Sequence, residues 1–274
     1  MKSIFSVLSE AKTGGKSAAL CIVTETHGST PAKAGAKMIV YEDGTSFGTI
    51  GGGNLEKKVI EDAVRVIASQ GGGNYVHNLT RDHNMCCGGR VCIYIEPVKQ
   101  TKKLIIFGAG HIGTHLSRMA DQVGFDVYLV DERPGIFKNT EEDGINIIAA
   151  RHRDAMSMIQ FDLNTNIFIC THLHEYDRDI LALCLKLPHL YLGMIGSRRK
   201  VEVTKKLFLQ NSMATEEELA GVDMPAGINI GAATPAEIAV SIIAKIIETG
   251  SEERSLEEGI YSDLNANQCL NESN

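Results

Sequence analysis

The sequence predicts an α/β protein in which a smaller α+β domain precedes a Rossmann-like, doubly wound parallel sheet. Three observations lead to this prediction. From residue 103 onwards, short apolar strands alternate with helical segments, which is the pattern of βαβ units. A glycine-rich turn, GAGHIG at 108–113, joins the first of these strands to a helix. Before residue 98, a hairpin signal between apolar runs indicates a mainly antiparallel sheet.

The first domain is predicted over residues 1–98. Apolar residues at helical spacing predict helices over 3–12 and 54–69, the second with Asn54 as its N-cap. Asp43-Gly44 lies between two apolar runs and predicts a hairpin turn. The strand-like runs are 18–26, 36–41, 45–50, 75–79 and 91–96.

The second domain is predicted over residues 103–250. Its strand-like runs are 103–107, 126–130, 145–150, 166–170 and 190–195, and its helical segments are 111–123, 153–159, 176–186 and 198–210. A last helix, from Pro235 to about Glu248, should begin with a capping box formed by Thr234 and Glu237. The acidic, Asn-rich tail at 251–274 is expected to be mobile.

Composition narrows the functional classes. The chain has 274 residues, a net charge of −7 and a pI near 5.7, which argues against nucleic-acid binding because that needs a basic surface. No apolar run reaches the roughly 18–20 residues of a membrane span, and charges interrupt the N-terminal apolar segment. We therefore expect a cytoplasmic protein without a membrane partner. Seven cysteines without a CxxC spacing favour neither a disulfide framework nor a zinc site.

The GAGHIG turn predicts a nucleotide-binding fingerprint. Gly108 would allow the tight turn, Gly110 would let a phosphate approach the backbone, and Gly113 would let helix and strand pack closely. His111 lies inside the turn, and Asp131 ends the next strand, where its carboxylate would accept a bond from a ribose hydroxyl. Three outcomes stay open: NAD(P), another nucleotide, or glycines that serve packing only.

Two further polar segments follow predicted strands. In GSRRK, residues 196–200, Ser197 is a candidate N-cap, and Arg198 and Arg199 stand in a helical turn whose dipole disfavours cations. Either an anionic ligand lies there, which would make these three residues part of a binding site, or the cations are solvated or paired with carboxylates. In THLHEYD, residues 171–177, the acids and histidines suit either a metal or a polar helix-capping loop.

Two stretches of the first domain remain ambiguous from their residues alone. In NMCCGG, residues 84–89, the cysteines are buried thiols, a disulfide or an exposed soft ligand, and Gly88 and Gly89 would let a bulky ligand approach the backbone. The glycines at 51–53 precede a helix, where they fit a phosphate or pterin edge and a tight turn equally well.

Taken in order, these motifs resemble the XdhC/CoxI family of molybdenum-cofactor maturation factors over about residues 1–250. The motifs are HGSTP (27–31), GAKM (35–38), GTIGGG (48–53), MCCGG (85–89), GAGHIG (108–113), DERP (131–134), GMIGSRRK (193–200) and GAATPAE (231–237).

The resemblance implies a function and a set of partners. Such a protein would bind molybdenum cofactor, protect it while a terminal Mo=O becomes Mo=S, and insert it into a molybdenum hydroxylase such as xanthine dehydrogenase. A separate cysteine desulfurase would supply the sulfur, and the protein would be a non-catalytic homodimer. The family's cysteine maps onto Cys87, as a ligand of the molybdenum, although Cys86 occupies the variable position before it.

Two alternatives from other functional classes remain open at this point. One is an NAD(P)-dependent oxidoreductase, which must bind a nicotinamide nucleotide. The other is a nucleotide-binding regulatory protein, which would not depend on Cys86 and Cys87. The sequence leaves the client enzyme and the ligand of the fingerprint undetermined.

Overall fold

The computed structural model describes residues 2–13, 16–79, 89–138 and 144–251. The chain forms two compact units, of which the first ends at Gln100 and the second begins at Thr101. The first contains α1 (Ile4–Thr13), β1 (Ala18–His27), β2 (Lys37–Tyr41), β3 (Ser46–Gly48), α2 (Gly53–Ser69), β4 (Gly73–Asn78) and β5 (Arg90–Pro97).

The sheet of the first unit has the order β3-β2-β1-β5-β4, and every neighbouring pair is antiparallel. Side chains of a strand alternate between the two faces of its sheet. Along β1, the side chains of Ala19, Cys21 and Val23 pack with α2, while that of Leu20 packs with α1. The sheet thus has a helix on each face. The hairpin prediction is confirmed, because β2 and β3 pair across Gly44, where φ is +77°.

The second unit contains β6 (Lys103–Phe107), α3 (His111–Gln122), β7 (Asp126–Val130), β8 (Ile145–Ile148), α4 (His152–Met158), β9 (Thr165–Ile169), α5 (His174–Cys184), β10 (Tyr191–Met194), α6 (Arg198–Gln210), α7 (Glu216–Ala220) and α8, helical over 235–251. No helix in the described parts of the chain is both long and apolar enough to cross a membrane.

The sheet of the second unit is parallel throughout, in the order β10-β9-β6-β7-β8. The chain runs outwards from β6 to β8, then crosses back to β9 on the other side, so the order reverses between β6 and β9. Every residue of β6 and β9 is buried, as expected for strands covered on both faces. This confirms the predicted doubly wound fold.

Two separate cores cover the faces of this sheet. On one face, Phe107 and Ile169 pack with residues of α4, α5 and α6, such as Ile180. On the other face, Leu104 and its neighbours pack with α3 and α8. Because both α3 and α5 start where strands end, their N-termini lie at the carboxyl edge of the sheet, where doubly wound folds bind ligands.

The helix caps are partly as the sequence predicts. Thr234 and Glu237 form the capping box of α8, and the Ser197 hydroxyl accepts from the Lys200 amide at α6. Asn54 is not the N-cap of α2, because the helix begins at Gly53 with Gly52 as its cap. The helix α5 begins two residues earlier than predicted, at His174.

Candidate functional site

Three motifs of the first unit meet at one end of its sheet. Gly51 has a φ of +124°, and a Cβ on it would lie 2.9 Å from the Ala32 amide nitrogen. Gly89 is buried, and a Cβ on it would lie 2.7 Å from the His27 carbonyl oxygen. Side chains at either position would collide with backbone. The turn before α2 and the segment entering β5 therefore both pack against residues 27–32.

Gly89 is the only described residue of the cysteine motif, and it lies at this same place. Cys86, Cys87 and Gly88 lie outside the described residues, so their assignment as cofactor ligands stays a prediction. The described residues on either side of the motif are joined, because the Leu79 amide donates to the Gly89 carbonyl at 2.9 Å. Leu79 and Gly89, the described residues that flank positions 80–88, are therefore neighbours, and Gly89 packs against residues 27–30.

The glycine turn before α2 is occupied by a side chain of its own helix. Glu56 Oε1 accepts hydrogen bonds from the amides of Gly52, at 2.8 Å, and Ile50, at 3.0 Å, and from the Thr49 hydroxyl. Burial alone would raise the pKa of Glu56, but these bonds hold it below its ordinary value. The charged carboxylate lies where an external anion would bind, so the described contacts support the tight-turn interpretation.

In the fingerprint turn, two glycines are required by packing. Gly108 has a φ of +117°, and a Cβ on it would overlap the Cys170 carbonyl of the adjacent strand. A Cβ on Gly113 would overlap the Gly108 carbonyl oxygen. These contacts hold the start of α3 directly against the end of β6. They leave no room for a ligand at these two positions.

Gly110 differs from both of these glycines. Its φ of −73° is accessible to any residue, and no atom lies within 4 Å of the position of a Cβ. No side chain caps the start of α3, and the exposed His111 is the first residue of that helix. Neither backbone conformation nor packing requires glycine here. The space above this turn is open, with helix amides at its base.

Asp131 already has a full set of protein partners. It is 7% exposed, and its oxygens accept hydrogen bonds from the Ala109 amide at 2.8 Å and from the amide, Nε and Nη2 of Arg133 at 2.7–3.0 Å. Burial would raise the pKa of Asp131, but the bonds from Arg133 and Ala109 keep it below its ordinary value. The predicted bond to a ribose stays a prediction, and it would have to be shared with these donors.

A pocket of about 290 Å³, part of which is open to solvent, lies beside the fingerprint at the ends of β6, β7, β8 and β9. Its lining residues are Phe107, Gly108, Val130, Asp131, Glu132, Ala150, His152, Thr171, His172, Tyr176 and Ile180. The ring of Tyr176 lies 5.6 Å from that of His152 and 5.7 Å from that of His172, between centroids. Sequence analysis did not identify His152 and Glu132 as site residues. Glu132 lies two residues after the predicted strand 126–130, and His152 lies two residues after the predicted strand 145–150.

In the polar loop after β9, Asp177 makes hydrogen bonds within the loop, whereas His172 packs against an aromatic ring. Asp177 accepts from the Thr171 amide at 2.9 Å, and its second oxygen lies 3.4 Å from His174 Nδ1. His172 instead packs edge-on against Tyr176. Within the described ranges, no group of three or more histidine, cysteine or acidic side chains is placed to hold a metal ion. The loop therefore follows the helix-capping interpretation.

The cationic turn after β10 is exposed. Arg198 and Arg199 begin α6, and no carboxylate of the described residues forms an ion pair with either of them. Strand β10 is two strands from β6, so about 10 Å separates this turn from the fingerprint along the edge. The predicted anion at Arg198 and Arg199 stays a prediction.

Comparison with known proteins agrees with this two-part architecture. Residues 104–246 match the family model described as the XdhC Rossmann domain, and residues 11–78 match the XdhC and CoxI family. The chain is 30% identical over 235 residues to the uncharacterized protein YqeB of Escherichia coli K12, covering 84% of this chain and 43% of that protein.

Two further relatives carry the name of xanthine dehydrogenase. One is a probable xanthine dehydrogenase subunit of Bacillus subtilis 168, 29% identical over 162 residues, which are 57% of this chain and 46% of that protein. The other is the crystal structure of a xanthine dehydrogenase from Bacillus halodurans, with a TM-score of 0.50, 22% identity, and coverage of 92% and 96% of the two chains. The chain spans less than half the length of the Escherichia coli and Bacillus subtilis relatives.

Fold and site together define a protein of two units. The first has an antiparallel sheet with glycine-rich turns at one end, and the second is a Rossmann domain. The chain belongs to the XdhC/CoxI family, because the family models match both halves in order.

Proposed function

We propose that the protein is a maturation factor for a molybdenum hydroxylase of the xanthine dehydrogenase type. In this role it binds molybdenum cofactor as cargo, protects it during sulfuration by a cysteine desulfurase, and inserts it into the client. Family membership and the names of the relatives support the association with xanthine dehydrogenase. Cargo binding, sulfuration, insertion, a homodimeric state and a cytoplasmic location belong to the proposal.

The observation that carries the proposal is the meeting of three motifs at residues 27–32. Gly51 and Gly89 bring the turn before α2 and the entry to β5 against this segment, and the Leu79 amide donates to the Gly89 carbonyl. A thiolate presented there would be a soft ligand, and extending soft-ligand preference to molybdenum is our inference.

The test is purification after co-expression with a molybdenum-cofactor pathway, followed by metal and pterin analysis. We expect Cys87→Ala to lose most of the bound molybdenum while it unfolds like wild type, and Cys86→Ala to lose less. Cys92→Ala on β5 is the matched control, because this cysteine lies in the same sheet and outside the motif. Equal molybdenum in Cys87→Ala and wild type would rule out Cys87 as the ligand.

We further propose that the fingerprint of the second unit binds a nucleotide. The supporting observation is Gly110, which packing and backbone leave free to be any residue, at an uncapped helix start. Gly110→Val should fold normally and fail to bind nucleotide, because its side chain would stand where a phosphate approaches. Calorimetric titration with NAD(H), NADP(H) and mononucleotides checks this, and strong NAD(P)(H) binding would favour the oxidoreductase alternative. Equal heats of binding for wild type and variant would mean that the glycines of the turn serve packing only.

A further inference from the structure

The two edges of the first sheet are protected to different degrees. The edge strand β3 has only three residues, and its last residue, Gly48, has a φ of +90°. The edge strand β4 has six residues, GNYVHN, and its pairing with β5 runs without a bulge. Short strands, lysine, proline and bulges are the devices that keep the edge of a sheet from pairing with another chain. The six residues of β4 include none of these devices.

The backbone of β4 presents hydrogen-bonding groups along its outer edge. Leu79 and Gly89 continue the register of β4 and β5, and the Leu79 amide donates to the Gly89 carbonyl opposite it. In an antiparallel pair, residues bonded to the neighbouring strand alternate with residues whose amide and carbonyl point away from it. Asn74, Val76 and Asn78 therefore point their backbone groups away from β5. Within the described chain, no residue bonds the outward amide or carbonyl of Asn74 or Val76.

The side chains of β4 suit a partner identical to itself. When a strand pairs with its own copy about a two-fold axis, the residue on the axis meets itself, so a charge there would meet a like charge. The chain as a whole has a net charge of −7, yet β4 contains no lysine, arginine or acidic residue. Val76 is 53% exposed and lies between two exposed asparagines on one face of the strand. A neutral edge with an apolar centre matches a second copy, whereas a charged segment of another protein would find no counter-charge on it.

We propose that β4 pairs antiparallel with β4 of a second copy of this chain, so that two five-stranded sheets become one continuous sheet. The inference rests on the homodimeric state in the proposed function and names the surface that forms the dimer. The register that uses all three outward-pointing residues pairs Asn74 with the partner's Asn78. Val76 then lies on the two-fold axis, opposite the partner's Val76, where the two valines form a cross-strand apolar pair.

The small size of this contact predicts how the dimer behaves. A standard protein interface buries about 800 Å² on each partner, and the pairing of two six-residue strands buries less. We therefore expect a reversible dimer with a dissociation constant on the order of 1–10 μM. Because backbone hydrogen bonds and valines hold the copies together, the dissociation constant should depend little on salt, unlike that of a contact between charged surfaces.

The first test changes the residue on the axis and measures the dimer of the full-length chain by sedimentation equilibrium. Val76→Lys and Val76→Glu should each raise the dissociation constant at least about tenfold, because like charges meet at the axis. An equimolar mixture of the two variants should form a heterodimer at concentrations at which neither variant dimerises alone. This rescue follows only if residue 76 lies opposite itself in the dimer. Failure of the mixture to dimerise would overturn the proposed register.

The matched control is Val203→Lys on α6. This valine is 47% exposed, similar to Val76, and it lies outside the first sheet. The variant should dimerise like wild type. Circular dichroism and urea unfolding verify that each variant is folded.

The second test locates the contact by hydrogen exchange of the wild-type chain. Exchange in residues 73–79 should slow as the protein concentration rises from about 1 to about 100 μM, because the outward amides of Asn74 and Val76 gain acceptors in the dimer. Exchange in residues 46–48, the opposite edge strand, should not depend on concentration. Slow exchange of residues 73–79 in a monomer would mean that another part of the chain covers this edge, and it would overturn the proposal.

The results separate this inference from the proposed function. A wild-type dimer that Val76→Lys leaves unchanged would disprove the β4 interface and keep the homodimer. A wild type that stays monomeric at about 100 μM would disprove both. The molybdenum content of the co-expressed protein tests the maturation role independently of either result.

Discussion

Two glycine-rich turns lead from a strand into a helix in this protein, and they are completed differently. At α2, the carboxylate of Glu56 folds back onto the amides of Ile50 and Gly52 and closes the turn. At α3, Asp131 accepts from the Ala109 amide, but no described side chain bonds the amide of Gly110, which faces open space. A run of glycines therefore does not by itself mark a ligand site. The two turns differ in whether a described side chain accepts from the amide of the glycine that caps the helix, as Glu56 does at Gly52 and none does at Gly110.

The largest expected effect separates the packing glycines from the open one. Gly108→Ala should lower the free energy of unfolding of the second unit by about 2–6 kcal/mol, because backbone strain and overpacking cost roughly 1–3 kcal/mol each. Gly110→Ala, with an ordinary φ and free space, should change it by less than about 0.5 kcal/mol. Urea unfolding followed by circular dichroism measures both. Similar losses in the two variants would mean that the turn is uniformly packed.

The next effect concerns the closed turn. Glu56→Ala should lower the free energy of unfolding by about 1–2 kcal/mol at pH 7, because charged hydrogen bonds to two amides are lost. The folded-state pKa of Glu56 lies below its unfolded value, so this contribution is complete above the unfolded pKa and disappears as pH falls through the folded one. The difference from wild type should therefore shrink below about pH 4.3. A penalty that stays constant from pH 7 to pH 3 would contradict this account.

Removing Glu56 should also convert the closed turn into an open one. In Glu56→Ala the amides of Ile50 and Gly52 lose their acceptor, so inorganic phosphate should stabilise the variant by about 1.4 kcal/mol at tenfold excess over its dissociation constant. Wild type should show no such response at this turn. Glu61→Ala, on the same helix and paired only with Lys58 among its described neighbours, is the control. Equal stabilisation of Glu56→Ala and Glu61→Ala by phosphate would show that Glu56 does not keep anions out of this turn.

The smallest effect extends the comparison to a third helix start, that of α6. Arg198 and Arg199 oppose the dipole there, so the double change to alanine should raise the free energy of unfolding by about 0.5–1 kcal/mol at low salt. High salt should remove the gain by screening. Lys205→Ala with Lys206→Ala removes the same charge within the helix and should show no such gain. Thermal shifts with phosphate should be smaller in the arginine variant if an anion binds here.

The fold was largely predictable because its signals are local. Buried parallel strands such as β6 read as continuous apolar runs, and the caps at Ser197 and Thr234 depend on residues three positions apart. The closure of α2 was not predictable in this way. Glu56 bonds the amides of Ile50 and Gly52 across a turn in which Gly51, Gly52 and Gly53 have positive φ, and Asn54 was wrongly predicted to be the cap.

The pocket was less predictable than the fingerprint beside it. GAGHIG is one contiguous stretch, whereas His152 and Tyr176 follow different strands and meet only because β8 and β9 end at the same edge. Asp131 shows a further limit, since its position predicts a ribose contact but its bond to Arg133 depends on a side-chain rotamer. Sequence position indicated the region of the site, and the contacts determine which groups are free.

Each unit contains a thiol that is buried in its core, so the reactivity of each thiol can report the opening of its own unit. Cys21 in β1 and Cys184 at the end of α5 are fully buried, and burial raises the pKa of each to about 12. The thiolate is the form that reacts with alkylating reagents, so neither cysteine should react until its own unit opens. In variants that retain only one of them, the rate of alkylation reports the opening of one unit at a time. Unequal rates would show which unit opens more readily.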